Sequence, residues 1–152
     1  MPMLDRRRLL LSSTAGLAAA AAPGLFLPRR AAAAAEDFTI GFIYVGPKDD
    51  YGYNQAHAEG AATLKSIPGI TVIEEENVPE TNAVTQTMES MINLEGANLI
   101  LATSFGYYNP FVIDAAKKYP EVQFRHCAPL WNEATDPKNA GSYFSYLNQA
   151  HY

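Results

Sequence analysis

Apolar, β-branched runs alternate with amphipathic, helix-forming stretches from residue 38 onward. Short runs bounded by Gly, Pro and Asn predict strands at 38–45, 70–73, 98–102, 122–127 and 141–145. Between them, helices are expected at 53–66, at 81–94 with Gly96 as a stop, and at 110–119 with Pro110 at the first position. Another helix is expected after the fifth strand. This alternation predicts an α/β fold, a doubly wound parallel sheet with strand order 2-1-3-4-5.

Residues 1–35 have the layout of a secretory signal peptide. Arg6–Arg8 precede a weakly apolar run at 9–22, and alanines at 31–35 offer cleavage sites for a signal peptidase. The paired arginines before a leucine run favour the twin-arginine route, and a Sec signal is the alternative. No cysteine lies near the cleavage zone, so we expect a soluble periplasmic protein rather than a lipoprotein. Cys127 is the single cysteine and is expected to be a buried thiol.

Residues 36–152 are strongly acidic. Five of the 11 cationic residues lie in the leader, which leaves six against fifteen acidic residues. Nucleic acid and anionic membrane surfaces are therefore poor partners for this part of the chain. Its length suffices for one hydrophobic core and is small for two.

The predicted strand order locates the candidate site. In open parallel sheets, ligands bind beyond the carboxyl ends of the strands where the strand order reverses, here between the first and third strands. The loops that leave these strands are GPKDDYGYN and TSFGYYNP, which combine Gly, aromatic and small polar residues. Such loops suit a flat ligand that is stacked on its face and hydrogen-bonded at its rim.

Individual residues of this region have structural alternatives. Asp50 can contact a ligand or cap the helix that begins near Tyr53, and the two roles are compatible. Tyr53, in the first turn of that helix and next to Tyr51, is expected to point into the crevice and to be the stacking surface for the ligand. Trp131 follows the fourth strand at the same edge, where loop packing competes evenly with ligand contact.

Other chemistries have weaker support. A phosphate-receiver domain needs an aspartate where this chain has Thr103 and Ser104, and no phosphate-loop or dinucleotide motif follows any strand. The spacing of the histidines does not indicate a metal site, and no cofactor is expected. A secreted hydrolase-like enzyme that acts on nucleosides through Asp49 and Asp50, or through Ser104, is the alternative of a different class. The sequence around Ser104 lacks the G-x-S-x-G elbow.

Three blocks carry a family resemblance: IGFIYVGPKDDYGYNQAHAEG, ILATSFGYYNPFVIDAAKKYPEVQFRHC and GSYFSYLNQAHY. Together they resemble the basic membrane protein family, the substrate-binding proteins of ABC importers with a type I periplasmic-binding-protein fold. The resemblance implies a receptor that passes a purine nucleoside or base to a membrane permease. By position, Tyr53 matches the aromatic residue of the family's D-x-G-[FWY] turn, beside Asp50 and Asn54. The family's TSFG loop corresponds to Ser104, Phe105, Gly106 and Tyr107.

The family's two-lobe architecture bears on the expected affinity. We expect residues 36–152 to be the N-terminal lobe, truncated before a C-terminal lobe that is missing here. One aromatic stack contributes about 1–3 kcal/mol, and two or three hydrogen bonds add about 1 kcal/mol each. The chain alone is therefore predicted to bind purines with an affinity in the range of about 1 mM or weaker.

Overall fold

Five short strands and three α-helices alternate along the described part of the chain, residues 37–127 and 130–143 of a computed structural model. The elements are β1 (Phe38–Ile43), α1 (Tyr53–Leu64), β2 (Ile70–Glu75), α2 (Asn82–Asn93), β3 (Leu99–Ala102), α3 (Ile113–Lys118), β4 (Gln123–Cys127) and β5 (Ala140–Tyr143). The predicted signal peptide and the helix predicted after β5 lie outside the described residues. None of the described helices has the length and apolarity needed to cross a membrane.

The strands form one parallel sheet in the order β2-β1-β3-β4-β5. This confirms the predicted fold class and strand order. In the β1–β3 register, Ile40 lies opposite Leu99 and Ile43 lies opposite Ala102, so both strands end at the same level. The strand order reverses between β1 and β3. The carboxyl ends of these two strands flank the reversal, where binding sites of open parallel sheets form.

One face of the sheet is covered by α2 and α3. Val84, Met88 and Met91 recur at helical spacing on α2 and are buried in a cluster with Ile43 and Ile100. Thr81 caps α2, because its side-chain oxygen accepts a hydrogen bond from the Ala83 amide at 3.3 Å. The predicted amphipathic helix is thus confirmed, and it fixes β3 and β1 from this face.

The opposite face packs against α1. Ala61 is fully buried there. It packs with Ile40 and Phe42 of β1 and with Tyr44, the residue that follows β1. Because α1 begins at the carboxyl end of β1, this packing fixes the first turn of the helix beside the candidate site. Cys127 is buried, as expected.

The segment after β3 contains the predicted helix at 110–119 but is less regular than predicted. It begins as a 3₁₀ turn at Phe105–Tyr107 and continues as a π turn at Tyr108–Val112, before α3 starts at Ile113. Within it, Asn109 has an extended conformation (φ −122°, ψ 122°). Pro110 lacks an N–H donor and keeps the preceding residue out of the α region, so the chain cannot continue as one α-helix through this point.

Candidate ligand-binding site

The exit loops of β1 and β3 are held together by hydrogen bonds at the switch point. The backbone N–H and the hydroxyl of Thr103 both donate to the Ile43 carbonyl, at 3.1 and 2.8 Å. From the first turn of α1, the Tyr53 hydroxyl donates to the Thr103 carbonyl. These contacts bring the two predicted loops to one edge of the sheet, as their order along the chain indicated.

Asp50 caps the amino terminus of α1. Its Oδ1 accepts hydrogen bonds from the amides of Gly52 (2.9 Å) and Gln55 (3.0 Å). Its Oδ2 accepts from the Asn54 amide (3.0 Å) and from Asn54 Nδ2 (2.8 Å). The backbone hydrogen bonds from Asn54 and Gln55 are the main reason that the pKa of Asp50 falls to about 2. A carboxylate has about four acceptor positions, so in this arrangement the cap occupies all of them and leaves none for a ligand.

Asn54 lies behind this cap, buried against the loop after β1. Its Nδ2 is engaged by Asp50, whereas its Oδ1 is buried without a hydrogen-bond partner. Gly46 allows this packing, because a Cβ at Gly46 would lie 2.8 Å from Asn54 Nδ2. The amide oxygen of Asn54 is thus an acceptor that the lobe itself leaves unsatisfied.

Tyr53 is half-buried and held in place. Its hydroxyl bonds to Thr103, and its ring lies 4.7 Å from the His57 ring at a tilt of 58°. His57 Nδ1 lies 2.8 Å from the Tyr53 carbonyl oxygen, and burial lowers the pKa of this imidazole. Tyr53 was predicted to point into the crevice as the stacking surface; in the structure its hydroxyl is bonded to the loop after β3, so it lies between the two exit loops.

Two other aromatic rings at this edge face solvent. The exposed fraction is 94% for Tyr51 and 54% for Phe105. Tyr51 has a φ of 57°, an uncommon conformation for a non-glycine residue. These two residues offer the open aromatic surface of the site.

Glu80, which no sequence pattern indicated, holds part of the loop after β3. Ser104 is nearly buried, and its hydroxyl donates to Glu80; the Gly106 amide donates to the same carboxylate oxygen at 2.9 Å. Tyr107 is fully buried in the core, and its hydroxyl donates to the Val78 carbonyl at 2.5 Å. Tyr107 therefore has a packing role in this structure and no surface open to a ligand.

Trp131 belongs to a loop that folds on itself. It is partly buried against the core on the α2/α3 face, and its Nε1 donates to the Pro137 carbonyl at 3.4 Å. In the same loop Asp136 accepts a hydrogen bond from the Asn132 amide at 2.7 Å and one from the Tyr108 hydroxyl. The bond from Tyr108 is the main reason that the pKa of Asp136 is lowered. Of the two roles considered for Trp131, these contacts favour loop packing.

Two residues that hold the exit loops, Glu80 and Thr103, gave no local signal for these contacts in the sequence. Their partners lie more than 20 residues away along the chain, so only the assembled sheet brings them together. Within the described ranges, no three His, Cys, Asp or Glu residues are close enough to hold a metal ion.

The fold and the site together define the class of the protein. A parallel α/β lobe carries exposed aromatic rings and a buried, unpartnered amide at its switch point. The side chains of Asp50 and Ser104, which an enzyme would use for proton transfer or attack, are engaged in holding the loops. The arrangement is that of a ligand-binding lobe.

The family model described as Bmp, ABC transporter substrate-binding protein PnrA-like, matches residues 38–152. The chain belongs to this family, which confirms the resemblance. The family consists of substrate-binding proteins rather than enzymes, so the hydrolase-like alternative is not supported.

Known relatives are longer than the region that they share with this chain. A purine-binding protein of Brucella abortus (strain 2308) is 38% identical over 103 residues, which are 66% of this chain and 29% of the relative. An ABC transporter solute-binding protein from Aeropyrum pernix K1 is 21% identical with a TM-score of 0.57, over 70% of this chain and 28% of that one. One from Conexibacter woesei DSM 14684 is 20% identical with a TM-score of 0.52, over 60% and 30%. At these identities the solved structures show a shared fold.

Proposed function

We propose that this chain is the ligand-binding lobe of an ABC importer's substrate-binding protein, with a purine nucleoside or base as its ligand. The observation that carries the proposal is the meeting of the β1 and β3 exit loops at the switch point, with an exposed aromatic residue on each loop. Family membership and the purine-binding name of the Brucella relative support it.

In the proposed complex, the ring of Phe105 stacks on the purine, and Tyr51 covers its edge. Phe105 is about half exposed and lies on a loop held at both ends, so stacking orders few additional groups. The Oδ1 of Asn54 has no partner in the lobe itself, but it is buried, so a purine N–H reaches it only after the side chain or the adjoining loop moves. Tyr53 lies between the two loops and joins them through its hydroxyl, and Asp50 positions Asn54.

The rest of the site comes from outside this lobe in our proposal. The residues matched to the Brucella relative are 29% of its length, which leaves room for a second lobe that covers the other face of the ligand. The partner of the complete receptor is the importer's permease, and its proposed location is the periplasm. Binding by this chain alone is then weak, about 1 mM or weaker.

Ligand-observed NMR tests the proposal, because saturation transfer detects weak binding. Adenosine and hypoxanthine are titrated against the full chain, with uridine and glucose as comparison ligands. We expect saturation transfer to the purines and little to glucose. The proposal fails if glucose gives as strong a signal as adenosine. It also fails if the purines give no signal at concentrations 10 to 20 times the expected Kd of about 1 mM.

Matched variants locate the binding. Phe105→Ala removes the proposed stacking ring and should weaken adenosine binding by about 5- to 100-fold, the equivalent of one base stack. Leu94→Ala removes a more exposed apolar side chain (80%) and should leave binding unchanged. Leu94 follows α2 and precedes β3, so it lies at the amino-terminal end of the strands, away from the exit loops. Equal effects of the two variants would place the ligand elsewhere.

A further inference from the structure

Glu80 lies in the loop after β2 but makes its side-chain contacts with the loop after β3. One carboxylate oxygen, Oε1, accepts the hydrogen bond from the Gly106 amide (2.9 Å) and the one from the Ser104 hydroxyl. In the sheet, β1 separates β2 from β3. The Glu80 side chain therefore joins two loops whose strands do not touch.

Gly106 is shaped to receive this carboxylate. A Cβ at Gly106 would lie 2.7 Å from Glu80 Oε1 and closer still to the other atoms of the carboxylate group. The φ of Gly106 is not in the left-handed region, so its backbone would accept any residue. A side chain at this position would have to displace the Glu80 carboxylate, the flexible end of that side chain.

A second link runs parallel to the first. The buried Tyr107 hydroxyl donates to the carbonyl of Val78, two residues before Glu80. Residues 104–107 are thus held on both sides of Phe105: the Ser104 hydroxyl before it and the Gly106 amide after it both donate to Glu80, and the Tyr107 side chain is fixed in the core. Phe105 remains as the one large side chain of this turn that is about half exposed.

We propose that Glu80 is a positioning residue for the ligand site: it orders the Ser104–Gly106 turn and thereby sets the direction in which Phe105 presents its ring. The inference about ligand affinity rests on the proposed function; the inference about the loop does not. Glu80 acts through Ser104 and Gly106 and needs no contact with the ligand. Its carboxylate is exposed, so water competes for the same donors and the effect of its loss is moderate.

Amide hydrogen exchange of the ligand-free full chain, followed by NMR, tests the loop. Glu80→Ala should speed exchange of the Gly106 amide about 10-fold, because its acceptor is lost. In Glu80→Gln the side-chain oxygen still accepts both hydrogen bonds, so most of the protection should remain. Glu121→Ala, at an exposed position just before β4, is the control and should leave this amide unchanged. Unchanged Gly106 exchange in Glu80→Ala would overturn the proposal.

A double-mutant cycle tests the fit between the two residues. Gly106→Ala should displace the carboxylate and reproduce most of the effect of Glu80→Ala on the loop. In the Glu80→Ala background the same change has no carboxylate to meet, so its added effect should be less than about twofold. Independent effects in the double variant would show that the two residues do not act through this contact.

Adenosine affinity then tests the link to binding. Glu80→Ala should weaken adenosine binding about 5- to 10-fold with Glu80→Gln close to wild type, whereas equal binding by Glu80→Ala and wild type overturns the positioning role. If the wild-type chain bound no purine, the proposed function would fail, and the Gly106 exchange would still decide whether Glu80 orders the loop.

Discussion

Asp50→Ala is expected to destabilise the lobe through the amino terminus of α1. The carboxylate accepts three backbone N–H bonds, from Gly52, Asn54 and Gln55, and one from the Asn54 side chain. The adjacent Asp49 is exposed and has no side-chain hydrogen bond among the described residues, so Asp49→Ala is a matched control for the loss of one negative charge.

The magnitude follows from what replaces the carboxylate. Water reaches the Gly52 and Gln55 amides after the substitution, so these bonds are exchanged rather than lost. Asn54 is buried, and its amide and side-chain donors lose their partner. Loss of a helix cap costs about 0.5–2 kcal/mol, and the buried donors place this one near the upper end, at about 1.5–2 kcal/mol. Asp49→Ala should change the free energy of unfolding by less than about 0.5 kcal/mol.

Urea unfolding at several pH values is the assay. The pKa of Asp50 in the folded lobe is about 2, below the ordinary value of 3.8. The cap therefore contributes fully above pH 4, and its contribution is lost as the pH falls through 2. The difference between wild type and Asp50→Ala should be largest near neutral pH and should shrink in acid. Equal stabilities of the Asp49 and Asp50 variants, or a difference that does not depend on pH, would refute the capping role.

Three further predictions concern other contacts. Tyr107→Phe removes the buried hydrogen bond to Val78 and should lower the free energy of unfolding in urea by about 1–2 kcal/mol. Tyr51→Phe, at an exposed ring, should lower it by less than about 0.5 kcal/mol. Equal losses would contradict the stabilising role of the buried hydrogen bond. Thr81→Ala removes the cap of α2 and should cost about 1 kcal/mol, whereas no loss of stability would contradict it. His126 is fully buried, and burial lowers its pKa from 6.5 to about 4. Because the unfolded chain takes up the proton first, stability should fall as the pH drops from 6.5 to 4, by at most about 3 kcal/mol from this group. His126→Gln should reduce this fall in the free energy of unfolding, and the buried His57 should account for part of what remains. A fall with pH as steep as that of wild type would contradict the buried, neutral state of His126.

The fold was largely predictable from local patterns. Apolar runs of strand length, the helical spacing of Val84, Met88 and Met91, and the Gly96 stop are properties of neighbouring residues, and they define the elements before tertiary contacts form. The irregular turns before α3 were not predicted, because they depend on how the backbone before Pro110 accommodates the ring. The bounds of β1 and β2 also differ by two residues at their carboxyl ends.

The candidate site was less predictable, since its geometry comes from contacts between loops. Strand order alone located the two exit loops correctly. That Asp50 has all its acceptors in use, that the Tyr53 hydroxyl is bonded to Thr103, and that Glu80 reaches Gly106 depend on distances between segments 5 to 50 residues apart. No local pattern distinguishes the exposed ring of Phe105 from the buried ring of Tyr107 two residues later.

The central claim is that the exit loops of β1 and β3 bind a purine. Chemical-shift mapping of the ¹⁵N-labelled full chain during an adenosine titration tests it most directly. We predict saturable shifts of the amides of Tyr51, Asn54, Ser104, Phe105 and Gly106, with a common Kd of about 1 mM or weaker. Shifts confined to other parts of the sheet, or no saturable shifts at these amides, would contradict the claim.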